Sequence, residues 1–507
     1  MRKINTLLPL VLLAILLSST LKAQNPANHP DTLKKYIEKT FSDFDLHGLS
    51  VLIVKDDSIV FNQNRGTAGK EKQVTSESVY NIASCTKAFT GAAMSQLVNK
   101  GLIHWDDLVI DYLPEFKLAD PYITTHLTIE DLLTHRSGLG TFYGDLLWYE
   151  TDRTDEDIIE RLQYLPMVNR FRDQYGYQNT MYMVAGEILK KVTGSSWDEY
   201  IKQNFIIPLK MYNTTMCGNE LNASQEIAYP MIDDKIIGFS MKKPHAAASI
   251  FSSTNDLSRW MRMLLNNGIL EGDTILPAHV INDMMTPRIV RPVGGLRRMS
   301  GAQFNTYALG WSVWDHNGKK VVEHAGGMPG YISQVTIVPQ EKLGMVILTN
   351  TLSNVPAALQ MYILDLYLKD KATDWSGIFL KFKVQGEAQE KKELEEREAS
   401  RIHRTKPSLD LEKYVGVYED KMYGNAVITL KDKKLHMVFE PARDMFYSDM
   451  EHWHFDTFKV KFADPFLQAG YITFSFDSMR NIEGFKIDLK SDDFHFFNLN
   501  FKKVVEE

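Results

Sequence analysis

The sequence predicts an α+β block followed by an all-β, barrel-like domain. Three observations carry this expectation. Strand-like runs stand at both ends of residues 24–384 and enclose a long helical middle. A charged run with few large apolar residues follows at 386–404. Beyond it, short alternating runs recur at steady spacing to the end of the chain. Strands first and last with helices between read as an antiparallel sheet carrying an inserted α-region.

The chain opens with a basic start (Arg2, Lys3), an apolar run from Leu7 to Leu17, and Ala23 before Gln24. Those are the three parts of a secretory signal peptide over residues 1–23, and they imply a periplasmic or secreted protein. No other apolar run is long enough to span a membrane. With 57 Lys+Arg against 64 Asp+Glu the chain is acidic, so it is a poor nucleic-acid binder. At 44% hydrophobic it is globular. Cys85 and Cys217 are its two cysteines, too few for a disulfide scaffold, and no bridge between them is expected.

In chain order, LSVLIVK, Asp56-Asp57 and SIVF read as a β-hairpin. Next comes SCTKAFTGAAMSQLVNKG, where Phe89, Ala93 and Leu97 recur at i+4 and Gly101 supplies a stop. Ser84 and Lys87, three apart at the start of that helix, share one face. The helix N-terminus offers N–H groups to a developing oxyanion. A buried lysine there has its charged form disfavoured and can accept a serine proton. Those are the needs of an acyl-forming serine without a histidine base. Ser19-x-x-Lys22 and Ser240-x-x-Lys243 share the spacing, so context must decide.

Tyr177-Gln178-Asn179 directly precedes the helix TMYMVAGEILKKVTG, whose Met181, Ala185, Ile188 and Val192 form an apolar stripe. Tyr177 can carry a proton, and the Asn179 amide can bond both Lys87 and a substrate. Tyr423-Gly424-Asn425 repeats the spacing inside the β tail, where it reads as a turn. Then come YALGWSVW, KKVVEHAGG, ISQVTIVP and LGMVILTN, all strand-like. His324-Ala325-Gly326-Gly327 lies on the second of these. Its glycines permit close approach of a ligand, and the Gly327 N–H can complete an oxyanion hole. His316-Asn317-Gly318 has the same spacing but reads as a hairpin turn.

The charged run reads as a solvated linker helix over 385–407, with Glu387–Lys391 and Glu393–Arg397 as i,i+4 pairs. The tail, 408–507, is expected to fold by itself as a barrel or sandwich. Within it His452 and His454 share a strand face but lack a third ligand, so no metal and no cofactor is expected.

These motifs resemble the serine β-lactamase and penicillin-binding-protein superfamily, in the class C β-lactamase-like branch with esterases and D-aminopeptidases. The resemblance covers about residues 49–368. It includes YNIASCTKAFTGAAMSQLVNKGLIHWDDLVIDYLPEF, LTIEDLLTHRSGL, the Tyr-x-Asn loop, HAGGMPGYIS and GMVILTN. The tail resembles the small lipocalin-like domain of some members. The resemblance implies a β-lactamase/transpeptidase-like fold, with Ser84 as nucleophile, Lys87 as proton acceptor, and Tyr177 and Asn179 as the second motif. It makes the Ser84 and Gly327 amides the oxyanion donors. Class C β-lactamases begin the third motif with a lysine that helps hold the substrate carboxylate. Here His324 stands in that place, so efficient β-lactam hydrolysis is not expected.

The implied function is hydrolysis of an ester or small amide or peptide through an acyl-serine. The rival within the family is transfer of the acyl group to an alcohol or amine. A third reading is a non-catalytic cell-wall or ligand-binding protein, disfavoured because Ser84, Lys87 and Tyr177 are all present. Residues 140–150 and 297–307 either wall an apolar acceptor site or simply pack. The β tail is expected to cap the cleft or to pair subunits in a homo-oligomer, and the chemistry is not expected to need it directly.

Overall fold

The computed structural model describes residues 30–504. The signal peptide expected at 1–23 lies outside them. The first block is built on a nine-stranded antiparallel sheet. Its central pairing joins the two ends of the block: Gly48–Lys55 runs beside Leu343–Thr349, Leu49 opposite Thr349. The expected hairpin is present, with Asp56 and Asp57 both at positive φ in the turn. Asn317 and Gly318 make a second such turn, between Ser312–His316 and Lys319–Met328. Two-residue turns of this hand match the twist of the strands they join.

Side chains alternate across the sheet. Val51, Ile53, Met345 and Ile347 pack with the helices Pro30–Asp43 and Val355–Leu368. Leu52, Val54, Val346 and Leu348 face the other way, toward the helices Thr86–Asn99 and Thr254–Leu265. The helix Thr86–Asn99 departs from the expected amphipathic stripe. Its residues from Thr86 to Ser95 are all buried, so it is a central helix enclosed on every side.

The tail is a closed eight-stranded barrel. Closure removes the sheet edges. Eight strands leave an interior just wide enough for side chains, and Tyr418, Phe439, Phe474, Phe485 and Phe501 pack against one another inside it. The barrel packs directly on the helical region. Its core is continuous with that of the helical region, through Tyr149 stacked on Phe494 at 3.9 Å and lying 6.1 Å from Phe446.

The charged run is the second half of one helix, Trp375–Ala399, whose first turns bury Trp375 and Phe379. Neither i,i+4 pair expected there forms. Glu393 instead binds Lys490 at 2.7 Å and Arg397 binds Asp488 at 2.6 Å, both on the barrel. For Glu393 and Arg397 an inter-domain partner has replaced the local one, while Glu387 and Lys391 pair along the helix with Lys383 and Glu395.

Candidate active site

The turn before the central helix sets the site. Asn81 Oδ1 accepts the Ala83 N–H at 2.7 Å. Ala83 holds φ at +46°, a conformation that costs a non-glycine residue on the order of 1 kcal/mol. A 3-10 turn over Ala83–Cys85 follows, then the helix. Ser84 is left partly exposed while Ala83 and Cys85 are buried. The third-motif strand clamps this turn. The Cys85 thiol donates to the His324 carbonyl at 3.1 Å, and Ser333 Oγ donates to the Ile82 carbonyl at 2.7 Å.

Lys87 is fully buried. Its Nζ lies 3.2 Å from Ser84 Oγ, 2.6 Å from Asn179 Oδ1 and 3.1 Å from the Ala247 carbonyl. Three ammonium donors thus meet three acceptors. Burial lowers the Lys87 pKa to about 7, with the Asp145 charge opposing. Asn179 Nδ2 donates to Asp145 Oδ2 at 2.6 Å, and Trp148 Nε1 donates to Asp145 Oδ1 at 3.0 Å. Burial pushes the Asp145 carboxyl up, against those bonds and Lys87.

The Tyr177 loop is held from behind by a buried carboxylate. Asp131 closes a capping box with Thr128 and accepts from Arg136 at 2.5 Å and from Arg172 at 2.8 Å. The Gln178 N–H donates to His135 Nδ1 at 3.0 Å, and the His135 ring lies 4.4 Å from Tyr177. Tyr177 stands over Lys87, its ring 4.7 Å from Nζ, with Ser84 at its hydroxyl. Burial raises the phenol well above its usual range, so it stays protonated.

His324 is buried, with its ring between two partners. Nδ1 donates to the Ala325 carbonyl at 2.6 Å. Because a carbonyl only accepts, Nε2 is the acceptor for the Tyr307 hydroxyl at 2.9 Å. Burial, Lys87 and Arg291 depress its pKa to about 3, leaving it neutral. The two glycines differ. A Cβ on Gly326 would meet the Ile82 carbonyl at 2.4 Å, so this glycine lets the strand approach the nucleophile turn. A Cβ on Gly327 would meet only Ile332, at 3.5 Å. Gly327 alternates to the exposed face, beside Ser84 on the cavity wall.

Ser84, Tyr177, Asn179, His324, Gly326 and Gly327 all line one cavity of about 550 Å³, and Lys87 lies directly beneath Ser84. The look-alikes lie elsewhere. Tyr423 is in the barrel, His316 pairs with Asp365 at 2.7 Å, and Ser240 and Lys243 sit in a separate pocket. His452 donates to the Phe455 carbonyl, while His454 accepts from the Ile402 N–H.

Sequence reasoning missed several wall residues. Asp145 and Tyr307 fall inside the two stretches read as apolar wall or packing; an acid set between aromatic and apolar residues was the available signal for Asp145. Arg291 carried no motif. The barrel supplies Phe466, Asp493 and Phe494 to the same wall. The loop before the last barrel strand thus lies against the cleft, the capping position expected of the tail.

The model of the family described as beta-lactamase matches residues 33–368. The chain belongs to the beta-lactamase family. Members of this family are serine hydrolases. Residues 400–503 match a second model, described as a domain of unknown function, DUF3471. The unguisins hydrolase of Aspergillus violaceofuscus is 26% identical over 425 residues, 77% of this chain and 75% of that protein. Protein flp of Staphylococcus aureus is 26% identical over 62% of this chain and 61% of its own length. Among solved structures, the octameric penicillin-binding protein homologue from Pyrococcus abyssi aligns with a TM-score of 0.58 at 21% identity. It covers 93% of this chain and 99% of its own. The D-amino acid amidase from Ochrobactrum anthropi SV3, complexed with L-phenylalanine, aligns at 0.52 and 20% identity over 63% of this chain and 91% of its own. At such identities these two structures share the beta-lactamase fold with this chain.

Proposed function

We propose that this protein is an exported serine hydrolase that cleaves an ester or a small amide or peptide through an acyl-Ser84 intermediate. The observation that carries the reading is Lys87, buried, held by two acceptors and aimed at Ser84 Oγ. In its neutral form Lys87 has two N–H donors, which Asn179 and Ala247 accept, and one lone pair, which is left for the serine proton. Ser84 Oγ bonds the substrate carbonyl carbon as its proton passes to Nζ. The oxyanion meets the Ser84 and Gly327 amides. The carbonyl re-forms, the C–O or C–N bond breaks, and the leaving group takes a proton through the Tyr177 hydroxyl. Water then repeats the sequence on the acyl-enzyme and releases the acid.

Export rests on the basic, apolar and small-residue order of residues 1–23. A neutral His324 offers no charge to a carboxylate beside the scissile bond, so penicillins and cephalosporins are poor substrates. The aromatic wall of Phe142, Trp148, Phe466 and Phe494 would also seat an alcohol or amine acceptor, which supports acyl transfer as a second reading. Self-association through the barrel is a separate proposal, which gel filtration tests. For the main reading, the protein is treated with a fluorophosphonate probe and its intact mass measured. Labelling at Ser84, lost in Ser84→Ala, is expected. Labelling that persists in Ser84→Ala would place the nucleophile elsewhere.

A further inference from the structure

Two of the three acceptors around Lys87, Ser84 Oγ and Asn179 Oδ1, belong to the motifs. The third, the Ala247 carbonyl at 3.1 Å, does not, and the turn that presents it is organised by one side chain. His245 is 7% exposed. Its Nδ1 accepts the Ala247 N–H at 3.2 Å. Thr90 Oγ1, on the central helix, donates to the Ala246 carbonyl at 2.6 Å. The peptide plane between Ala246 and Ala247 is therefore pinned at both ends. The next plane is held at its N–H end, where Ala248 donates to the His245 carbonyl at 3.1 Å, and its oxygen is the acceptor for Lys87. Ser249 closes the turn: its Oγ accepts the His245 N–H at 2.8 Å and donates back to the His245 carbonyl at 3.1 Å.

The ring does more than fill space. Because Nδ1 accepts, the ring proton is on Nε2, and Nε2 is buried without an acceptor among the described residues. An aliphatic side chain would occupy the same volume without that cost. The ring must also stay neutral, since a protonated Nδ1 would meet the Ala247 N–H donor to donor. Burial and the Lys87 charge hold its pKa down at about 3. The Trp148 ring lies 5.1 Å from it, and Trp148 Nε1 donates to Asp145 Oδ1 at 3.0 Å. One indole thus braces both routes to Lys87, Asp145 through Asn179 and His245 through Ala247.

Building on the acyl-Ser84 reading, we propose that His245 is a positioning residue for the general base: by pinning the Ala247 N–H it aims the Ala247 carbonyl at Lys87 Nζ and so reserves the lysine lone pair for Ser84 Oγ. Neutral Lys87 then has both N–H donors engaged, by Asn179 and Ala247. Once the ring is removed the carbonyl turns away, one N–H is free to take Ser84 Oγ as its acceptor, and the lone pair points elsewhere. The ammonium form loses more than the amine does, because its bond to the carbonyl is charge-assisted. Loss of His245 therefore makes Lys87 easier to deprotonate and yet a poorer base for Ser84. The titratable groups facing Lys87 are Asp145, the Cys85 thiol, Tyr177 and Tyr182, with His135, His245 and His324. Burial raises the thiol and the phenols and lowers the histidines, so a limb near neutrality belongs to Lys87 and its neighbour Asp145.

The test measures how fast a fluorophosphonate labels Ser84, by intact mass and across the neutral pH range, in the full chain and in His245→Asn, His245→Gln and His245→Leu. The asparagine amide reaches the place of Nδ1, whereas the glutamine amide reaches that of Nε2. His245→Leu and His245→Gln are expected to lower the plateau rate about ten- to a hundredfold, the range for a displaced reacting group, and to move the midpoint down by about one pH unit. His245→Asn should recover most of both. A role in packing alone would change the melting temperature and leave the midpoint of the folded protein in place. Native midpoints in His245→Leu and His245→Gln therefore overturn the inference. So does a His245→Asn protein that behaves like His245→Leu or fails to fold, because it keeps the acceptor that the turn needs. If the other two variants do not fold, His245→Asn decides alone. In all these outcomes the native protein still labels at Ser84, and the acyl-serine reading stands. A native protein that does not label at Ser84 sinks that reading and this one with it.

Discussion

Lys87 and Asp145 do not touch: the Asn179 amide stands between them, 2.6 Å from each. The amide can be oriented in only one way, oxygen to the amine and nitrogen to the carboxylate. Asp145 therefore fixes Asn179, and Asn179 fixes the lone pair of Lys87 on Ser84. The carboxylate also sets how readily Lys87 loses its proton.

This arrangement predicts the pH dependence of acylation. The competent species is neutral Lys87, whose fraction grows with pH, so the rate should climb from pH 5 through a midpoint near pH 7, the Lys87 pKa being about 7, before it levels off. Asp145→Asn removes the charge that holds the proton on Lys87, so the rise should move to lower pH. Single-turnover acylation by a chromogenic ester measures both. A midpoint that stays or moves upward in the variant contradicts the relay.

Lys87→Ala and Tyr177→Phe should each slow acylation by about two to four orders of magnitude, the range for a positioned proton-transfer group. Lys87 titrates near neutrality while the Tyr177 phenol is held well above it. The rising limb should thus vanish in Lys87→Ala and survive in Tyr177→Phe. If the limb survives in Lys87→Ala, the base has been misassigned.

The third-motif glycines should separate packing from chemistry. Gly326→Ala drives a Cβ to 2.4 Å from the Ile82 carbonyl, displacing the nucleophile turn. A loss of about 1–3 kcal/mol of stability should accompany lost labelling. Gly327→Ala meets nothing closer than 3.5 Å and should keep its melting temperature. Thermal melts of both proteins compare them directly; equal destabilisation would refute the distinction.

Asp131→Ala should be among the costliest changes far from the nucleophile. Its carboxylate is fully buried between Arg136 and Arg172. Removing one member of a buried ion pair costs about 3–5 kcal/mol, and the partial exposure of both arginines places this case at or below that range. Urea unfolding gives the number, and acylation should fall as well because the Tyr177 loop loses its anchor. Unchanged unfolding would show that the network adds nothing.

The local patterns were legible without coordinates because each is short-range. The Asp56-Asp57 and Asn317-Gly318 turns announce themselves by residue type. Ser84 and Lys87 share a helix face by spacing alone, and the alternation of the tail specifies strands whatever they pair with. The three motifs resembled a known family in order and spacing, which located Ser84, Lys87, Tyr177, Asn179 and His324 before any fold was seen. Closure of the barrel and the pairing of Leu49 with Thr349 followed from pattern only as a class of fold. Contacts between residues far apart in sequence were decided by tertiary structure. Glu393 and Arg397 had local partners by spacing, yet the barrel lay closer and took them. Asp145 looked like one polar residue in an aromatic stretch until folding buried it beside Asn179. Asp493, some four hundred residues after Ser84, entered the catalytic wall only because apolar surface at Tyr149 drew the barrel loop across the cleft. Periodicity records which face of an element is buried, whereas what that face is buried against depends on chain closure over hundreds of residues.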